Sequence, residues 1–157
     1  MKIIYLLLLS LIILSCSSAH YCYIVRHAEK LDNTPFSLLS PAGHQRAAIL
    51  RDSMLNKKID LIFATFLIRT QETASPLAQS LHKPLLIYRH DAIDSIVSVI
   101  KGLKNKNVLL VGHSGTIPRI VQGITGQKGK SGDELEYDNL YTIKIKNGKS
   151  ELRVTKY

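Results

Sequence analysis

The sequence predicts an α/β fold, a three-layer α/β/α sandwich with a mainly parallel sheet and antiparallel C-terminal hairpin strands. Short apolar runs alternate along the chain with segments whose apolar residues recur at helical spacing. This alternation is typical of a parallel sheet covered by helices on both faces. Near the C-terminus, two segments of alternating character flank Asn147-Gly148, a dipeptide that strongly favours a hairpin turn.

The predicted strands follow one another at intervals that leave room for a helix between each parallel pair. The first four are apolar runs and the last two form the hairpin: residues 21–26, 59–64, 84–88, 107–111, 140–146 and 152–156. The fourth run is nearly all apolar, as expected for a strand buried on both faces. Residues 31–39 are predicted to be a loop, and residues 126–138, rich in Gly and Lys, to be the least structured stretch.

Four helices are predicted between these strands. Ser40-Pro41 has the residue types of a helix start, with serine as N-cap and proline in the first turn. The second helix spans about residues 69–81, and the fourth ends near Gly126. The third and fourth helices are recognised from apolar residues at helical spacing: Ile93, Ile96, Val97, Ile100, Ile117, Ile120, Val121 and Ile124.

The first residues have the pattern of a signal peptide. A basic start, Met1-Lys2, precedes an apolar run over residues 3–14 that is too short for an ordinary transmembrane helix. Ile13-Leu14-Ser15-Cys16 is similar to a bacterial lipobox. We therefore expect residues 1–15 to be cleaved before Cys16, Cys16 to be lipidated, and residues 16–157 to form a single domain. The expected location is the bacterial cell envelope, as a membrane-anchored lipoprotein or a periplasmic protein.

Two other outcomes stay open for this segment. Ser17-Ser18-Ala19 is a small-residue cleavage site that would release a soluble protein, and the apolar run could also remain as an uncleaved anchor. If Cys16 is lipidated, Cys22 is left alone in the first strand, where a lone cysteine is usually a small buried apolar residue. A disulfide between the two cysteines is the less favoured alternative.

The chain is basic, with a formal net charge of +9 over 157 residues. That length is enough for one domain with a substantial core. The positive residues are scattered, without an arginine-rich helix or interleaved aromatic residues, so we expect no nucleic-acid partner. A basic surface that faces anionic lipid, one that steers phosphorylated substrates, and a merely solvated surface all fit this charge.

Two arginines and two histidines lie at or shortly after the ends of predicted strands. Arg26 ends the first strand and His27 follows it, Arg69 follows the second strand, and His113 follows the fourth. Open α/β sheets bind ligands at the carboxyl ends of their strands. These four residues therefore predict one pocket for a phosphoryl group.

These residue types suit phosphoryl transfer, which needs positioning and charge neutralisation more than covalent machinery. A neutral His27 can attack phosphorus and hold the group as phosphohistidine. Arg26 and Arg69 can bind phosphate oxygens with planar donor forks, and His113 adds a donor at a helix N-terminus. Backbone N–H groups near Ser114 can point at the same anion. Because the two histidines lack an obvious set of acidic or cysteine co-ligands, we expect neither a metal nor a cofactor.

Motifs in order along the chain resemble signatures of the histidine phosphatase superfamily, in the branch that includes phosphoglycerate mutases and small phosphohistidine phosphatases. They are Arg26-His27-Ala28-Glu29, Leu39-Ser40-Pro41-Ala42-Gly43-His44-Gln45, Arg69-Thr70 with Thr73-Ala74, Gly112-His113-Ser114, and Tyr137-Asp138-Asn139-Leu140. The resemblance covers essentially the whole mature chain. It departs from the family pattern at Gln45, which is one place early, at Glu72 in place of Gln, and at Thr65 in place of Ser. We expect activity to survive these departures.

The resemblance implies a metal-independent phosphatase that hydrolyses phosphorylated substrates through a phosphohistidine on His27. It also implies that Asn33, six residues further on, contacts phosphate, although an ordinary loop residue explains it equally well. Larger family members place the general acid after the third strand. Asp91 is the first candidate for this role, with His90, Asp94 and solvent as alternatives, and a simple helix-capping role explains Asp91 as well.

The short connections leave no room for a large lid, so we expect an open pocket for a phosphorylated small molecule or a phosphoprotein. An open pocket argues against a cofactor-dependent mutase, which must hold and reorient a small diphosphate. Two alternatives among enzymes stay open, a phosphohistidine protein phosphatase and a lipopolysaccharide-sugar phosphatase. A rival from another class is an inactive phosphate-binding module, which predicts the loss of a core residue that this chain retains.

Overall fold

The described part of the chain, residues 18–128 and 136–157 of a computed structural model, builds a six-stranded sheet with helices on both faces. In chain order the strands are β1 (His20–Arg26), β2 (Ile59–Thr65), β3 (Leu85–Tyr88), β4 (Asn107–Gly112), β5 (Asn139–Lys146) and β6 (Lys149–Lys156). The helices are α1 (Pro41–Met54), α2 (Ile68–Ser80), α3 (Ile93–Gly102) and α4 (Ile117–Thr125), and a short 3₁₀ turn (Leu55–Lys57) follows α1. The predicted α/β fold is confirmed.

The order of the strands brings the two predicted site histidines together. It is β3-β2-β4-β1-β5-β6, with β1 to β4 parallel and with β5 and β6 antiparallel to their neighbours. The register pairs Arg26 of β1 with Gly112 of β4. The backbone N–H of His27 also donates to the Gly112 carbonyl at 3.0 Å. His27 and His113 therefore leave the sheet side by side, although they are far apart in sequence.

Alternating residues of the central strands face the two helical layers. In β1, Cys22 and Ile24 pack with α3 and α4, whereas Tyr23 and Val25 pack with α1 and α2. Cys22 is buried, and burial raises the pKa of its thiol to about 12. Its predicted role as a buried apolar residue is confirmed. With both faces covered, the carboxyl edge of the sheet is left to the loops that carry the site.

Most strand boundaries, and both ends of α2, differ from the prediction by one residue at most, whereas β6 begins at Lys149 instead of residue 152. The hairpin turn explains this larger difference, because Asn147 and Gly148 both have positive φ, 51° and 73°. A two-residue turn of this kind matches the twist of the strands, so Lys146 pairs directly with Lys149.

Several predictions concern residues outside the described part of the chain. Residues 1–17 include the expected signal peptide and the expected lipidation site Cys16, and residues 129–135 belong to the stretch predicted to be least structured. Within the described residues, no helix combines the length and the apolar character needed to cross a membrane.

The start of α1 is fixed against the segment that follows His27. Ser40 caps the helix as predicted, its Oγ accepting from the Gly43 N–H at 3.1 Å, and its own N–H donates to the Glu29 carbonyl at 2.9 Å. A Cβ on Gly43 would lie 2.3 Å from that same carbonyl oxygen. The missing side chain of Gly43 therefore permits the close approach that positions the loop after β1.

Replacing Gly43 with alanine should destabilise the fold. The new methyl group would meet backbone that cannot rotate away, and we expect a loss of about 1–3 kcal/mol in the free energy of unfolding. Gly102→Ala is the matched control, because a Cβ there meets nothing within 4 Å and alanine is the better helix residue. Thermal unfolding should show a lower Tm for Gly43→Ala alone. Equal Tm values for the two variants would contradict this account of α1.

Candidate active site

His27 is a buried residue at the carboxyl end of β1, with 4% of its surface exposed. Its Nδ1 lies 2.8 Å from the Ala28 carbonyl oxygen. Because a carbonyl can only accept, Nδ1 carries the proton and Nε2 carries the lone pair. Burial, assisted by the charges of Arg26 and Arg69, lowers the pKa of His27 to about 4. His27 is thus a neutral imidazole at physiological pH, with a nucleophilic nitrogen turned away from Ala28.

His113 lies beside His27, with the ring centres 5.4 Å apart and the ring planes tilted by 59°. Its Nε2 is 3.1 Å from the hydroxyl of Thr65, which is 2.9 Å from the hydroxyl of Thr70. Thr65 thus supplies the hydroxyl of the serine it replaces. Burial lowers the pKa of His113 to about 3, and His27 and the nearby arginines contribute to this shift. His113 is therefore also neutral, and a bound anion would favour its charged form.

Arg26 and Arg69 place two positive charges close to both histidines. The guanidinium carbon of Arg26 lies 4.2 Å from the centre of the Tyr137 ring, a cation–π contact. Arg69 Nη1 donates to the Pro35 carbonyl at 2.6 Å. Each arginine lowers the pKa of both histidines, and desolvation together with Arg26 lowers the pKa of Arg69. Two guanidinium groups this close to each other suit a doubly charged phosphoryl group.

Polar side chains of α2 hold the loop after β1 against the site. Thr73 Oγ1 accepts from the Ala28 N–H at 2.9 Å and donates to the Arg69 carbonyl at 2.7 Å. Glu72 Oε2 accepts from the Leu39 N–H at 2.7 Å. These bonds tie the segment that follows His27 to α2, the helix that carries Arg69.

Sequence reasoning assigned no site role to Thr73 or Tyr137. The Tyr137 ring centre lies 6.1 Å from that of His27. The available signal was its place just before β5, because the pairing of Val25 with Leu140 brings that point to the carboxyl end of β1. For Thr73, the available signal was its place one helical turn after Arg69, in the motif Arg69-Thr70 with Thr73-Ala74.

The two predicted substrate-binding residues lie towards the surface. Asn33 is exposed, with its Oδ1 3.4 Å from Lys30 Nζ. Ser114 is half-buried. Helix α4 begins at Ile117, so His113 and Ser114 lie in the turn that leads into the helix, not at its first residue. Phosphate binding by Asn33 and Ser114 stays a prediction.

The three residues considered as proton donor differ in their surroundings. Asp91 is exposed and accepts from Arg89 through both carboxylate oxygens, at 3.1 and 2.7 Å. These bonds lower the pKa of Asp91 to about 2, so it holds no proton at neutral pH. Asp94 is exposed in the first turn of α3. The His90 ring, in contrast, meets the His113 ring edge-on with the centres 6.0 Å apart. This geometry gives Asp91 no support as the acid and favours His90.

Among the described residues, the side chains of Arg26 and Arg69 supply the positive charge of the site. Within residues 18–128 and 136–157, no group of three or more His, Cys, Asp or Glu side chains is arranged to hold a metal ion. The arrangement can bind a phosphoryl group between Arg26 and Arg69 and present its phosphorus to Nε2 of His27.

The two neutral histidines should make the protein less stable in acid. Since the pKa values of His27 and His113 are lowered from 6.5 to about 4 and about 3, the unfolded state binds more protons between these values. The contribution of these two histidines to the free energy of unfolding is complete above their pKa in the unfolded state. It is lost as the pH falls towards their pKa in the folded state. For His27 the loss should reach about 2 kcal/mol by about pH 5. Thermal unfolding at about pH 7 and about pH 5 should show a smaller acid effect in His27→Gln. Identical pH dependences in wild type and variant would refute this account.

Comparisons with known proteins agree with this geometry. Residues 22–94 match the model of the histidine phosphatase superfamily, branch 1. No curated protein sequence matches the chain significantly. The protein histidine phosphatase SixA complexed with tungstate is 14% identical, with a TM-score of 0.71 over 87% of this chain and 96% of that chain.

Two further solved structures are similar in fold. A mycobacterial glucosyl-3-phosphoglycerate phosphatase is 14% identical, with a TM-score of 0.69 over 88% of this chain and 99% of its own. A phosphoserine phosphatase from Entamoeba histolytica is 14% identical, with a TM-score of 0.67 over 88% of this chain and 98% of its own. At such identities these structures show the fold alone, and the match to the family model is confined to residues 22–94.

Proposed function

We infer that this chain is a phosphatase of the histidine phosphatase superfamily, and that it hydrolyses phosphorylated substrates without a metal, through a phosphohistidine intermediate on His27. One observation carries the proposal. A buried, neutral His27 has its Nδ1–H bonded to a carbonyl and its Nε2 unprotonated, beside the charges of Arg26 and Arg69. A nucleophile in this state needs no separate base to activate it.

The proposed reaction has two displacement steps at phosphorus. In the first, His27 Nε2 bonds to phosphorus while the bond to the leaving oxygen breaks, and that oxygen takes up a proton. In the second, a water oxygen bonds to phosphorus and loses its proton, and the phosphorus–nitrogen bond breaks to give inorganic phosphate and neutral His27. The Ala28 carbonyl supports the positive ring of the intermediate, and the arginines neutralise the phosphoryl oxygens.

We assign the proton for the leaving oxygen to His90 in preference to Asp91. His90 is half-buried and packs against His113, so it borders the proposed phosphoryl site. Asp91 is engaged by Arg89 and has its pKa lowered to about 2. A general acid must hold a proton at the operating pH, and the Asp91 carboxylate does not.

His90→Asn should lower kcat/KM for alkyl phosphates by about 100-fold, because a positioned acid typically contributes a factor of this order. For nitrophenyl phosphate, whose leaving group needs little protonation, kcat/KM should fall much less. Asp91→Asn is the matched control and should leave both substrates nearly unaffected. The measurement is kcat/KM for each variant on both substrates. A large loss of kcat/KM for alkyl phosphates in Asp91→Asn alone would show that Asp91, and not His90, is the general acid.

A phosphoprotein carrying phosphohistidine is a second candidate substrate. Two observations favour it: the fold likeness to SixA, a protein histidine phosphatase, and the short connection of four residues, Arg89 to Ala92, between β3 and α3. A short connection leaves the mouth of the pocket accessible to a macromolecule.

The function is tested by assaying the full chain against phosphosugars, phosphopeptides and a phosphohistidine peptide. His27→Ala serves as the matched inactive protein, so that contaminating phosphatases are recognised. Turnover by the wild type alone is the expected result, and the preferred member of the panel decides between small-molecule and protein substrates. No turnover of any member, with the fold intact, would favour the inactive phosphate-binding module.

We also propose that residues 1–15 are a signal peptide cleaved before Cys16, and that lipid on Cys16 anchors the domain of residues 16–157 to the cell envelope. Ser18 leads into β1 at the amino edge of the sheet, opposite the proposed site. Lysines lie in the connections at this edge: Lys57, Lys58, Lys83, Lys104 and Lys106. Asp60, paired with Lys106 at 3.4 Å, is an acidic residue among them. An excess of lysine favours anionic lipid on this side.

Cell fractionation tests the proposed anchor. Cys16→Ala should stop lipidation and move the protein from the membrane fraction to the soluble fraction. A wild-type protein that is soluble and begins at His20 would contradict lipidation and support cleavage after Ala19.

A further inference from the structure

Two of the three phenylalanines of the chain are exposed beside the proposed site. Phe36 is 71% exposed and Phe66 is 48% exposed, whereas Phe63 is buried in the core. A single exposed apolar residue is ordinary on a protein surface. An exposed aromatic ring that packs on a histidine of a polar site is better explained by a ligand that covers it.

Contacts on two sides connect Phe66 to the proposed site. Its ring centre lies 5.3 Å from that of His90, which in turn lies 6.0 Å from that of His113. Phe66 also directly follows Thr65, whose hydroxyl contacts His113. The Phe66 carbonyl accepts from Gln71 Nε2 at 2.9 Å, which fixes its backbone against α2. The segment from the end of β2 to α2 therefore both contacts His113, through Thr65, and positions the ring of Phe66.

Phe36 is placed through the arginine of the site. It follows Pro35, whose carbonyl accepts from Arg69 Nη1 at 2.6 Å. The short bond ties this part of the loop to α2, near the start of which Phe66 also lies. The exposed ring of Phe66 therefore lies on the solvent side of the histidines and the buried His27 on the inner side, with Phe36 in the loop that Arg69 contacts.

The geometry of displacement directs the leaving group towards these rings. Attacking and leaving atoms lie roughly in line through phosphorus, so the leaving oxygen points away from His27 Nε2. Because His27 is buried, away from His27 means outward, and the rings of His90 and Phe66 follow one another outward from His113. We therefore expect the alcohol that carries the phosphate to pass these two rings on its way to solvent.

We propose that Phe36, Phe66 and His90 form a leaving-group subsite that prefers phosphate esters of flat, apolar alcohols, such as aryl esters, over esters of glycerol or sugars. The proposal rests on the function inferred above for the pocket. Aromatic rings attract one another in offset or edge-on arrangements, and one such pair changes binding by about three- to tenfold. A sugar hydroxyl would instead lose water against Phe66 without gaining a hydrogen bond from it.

Binding of two phosphonates that cannot be hydrolysed tests the subsite in the full chain. Calorimetry gives the ratio of affinities for phenylphosphonate and methylphosphonate, which share the charged group and differ in the ring. We expect the wild type to prefer phenylphosphonate, and Phe66→Ala to reduce this preference by about three- to tenfold. Ile49→Ala is the matched control, because Ile49 is 49% exposed on α1, outside the site. It should leave the ratio unchanged.

The same comparison is made by turnover, with naphthyl phosphate and glycerol 2-phosphate as substrates. The ratio of their kcat/KM values should fall in Phe66→Ala and stay constant in Ile49→Ala. A wild-type ratio near one, an unchanged ratio in Phe66→Ala, or no binding of either phosphonate would each overturn the subsite. A retained phenylphosphonate preference without any turnover would instead overturn the proposed function and leave the subsite standing.

Discussion

His27→Ala is expected to lower kcat/KM by about four orders of magnitude or more, because it removes the atom that bonds to phosphorus. The proposed phosphate contacts of Arg26, Arg69 and His113 remain in this variant. The variant should therefore lose turnover while retaining affinity for inorganic phosphate. Steady-state kinetics and calorimetry with phosphate measure these two properties separately.

His44→Ala is the matched control for this variant, since His44 is an exposed histidine of α1. It should keep the wild-type rate. Thermal unfolding of His27→Ala checks that the cavity left at a buried position has not unfolded the domain. A folded His27→Ala protein with a near-normal rate would show that another residue is the nucleophile.

Arg69→Ala should have the next largest effect. In the proposed reaction the guanidinium group of Arg69 contacts phosphate in both the ground state and the transition state, so KM should rise and kcat should fall. A lost charge-assisted interaction of this kind costs about 2–4 kcal/mol, which is roughly 30- to 1000-fold in kcat/KM. Kinetics on nitrophenyl phosphate measure the effect, because this substrate needs little protonation of its leaving group.

Arg69→Lys separates charge from geometry. Lysine keeps the positive charge but lacks the planar fork, so the loss should lie between those of wild type and Arg69→Ala. Arg119→Ala, at an exposed position on α4, controls for the loss of a positive charge elsewhere. Equal kcat/KM in Arg69→Ala and Arg119→Ala would show that Arg69 does not contact the phosphate.

The main features of the fold could be predicted because the residue types within each element indicate its burial or its backbone conformation. β4 is a nearly continuous apolar run, as a strand covered on both faces must be, and Asn147-Gly148 suits the left-handed backbone of its turn. The juxtaposition of His27 and His113 could also be predicted, because both directly follow buried parallel strands. The adjacency of β1 and β4 then makes them neighbours.

Other features of the site depend on contacts that sequence position does not reveal. Asp91 follows β3 as predicted, but its carboxylate accepts hydrogen bonds from Arg89, two residues away. The cation–π contact between Arg26 and Tyr137 joins residues far apart in sequence and requires β5 to pair with β1. Gly43 is required because the Glu29 carbonyl approaches it, a distance set by the packing of α1 and not by its helical pattern.

The most direct test of this account is to identify the residue that carries the phosphate during turnover. The full chain is mixed with labelled nitrophenyl phosphate, quenched within milliseconds in base, and digested for peptide mapping. We predict acid-labile, base-stable phosphate on the peptide that contains His27, and none in His27→Ala. Phosphate that is stable in acid, or that maps to Ser114 or His113, would contradict the assignment of His27 as the nucleophile.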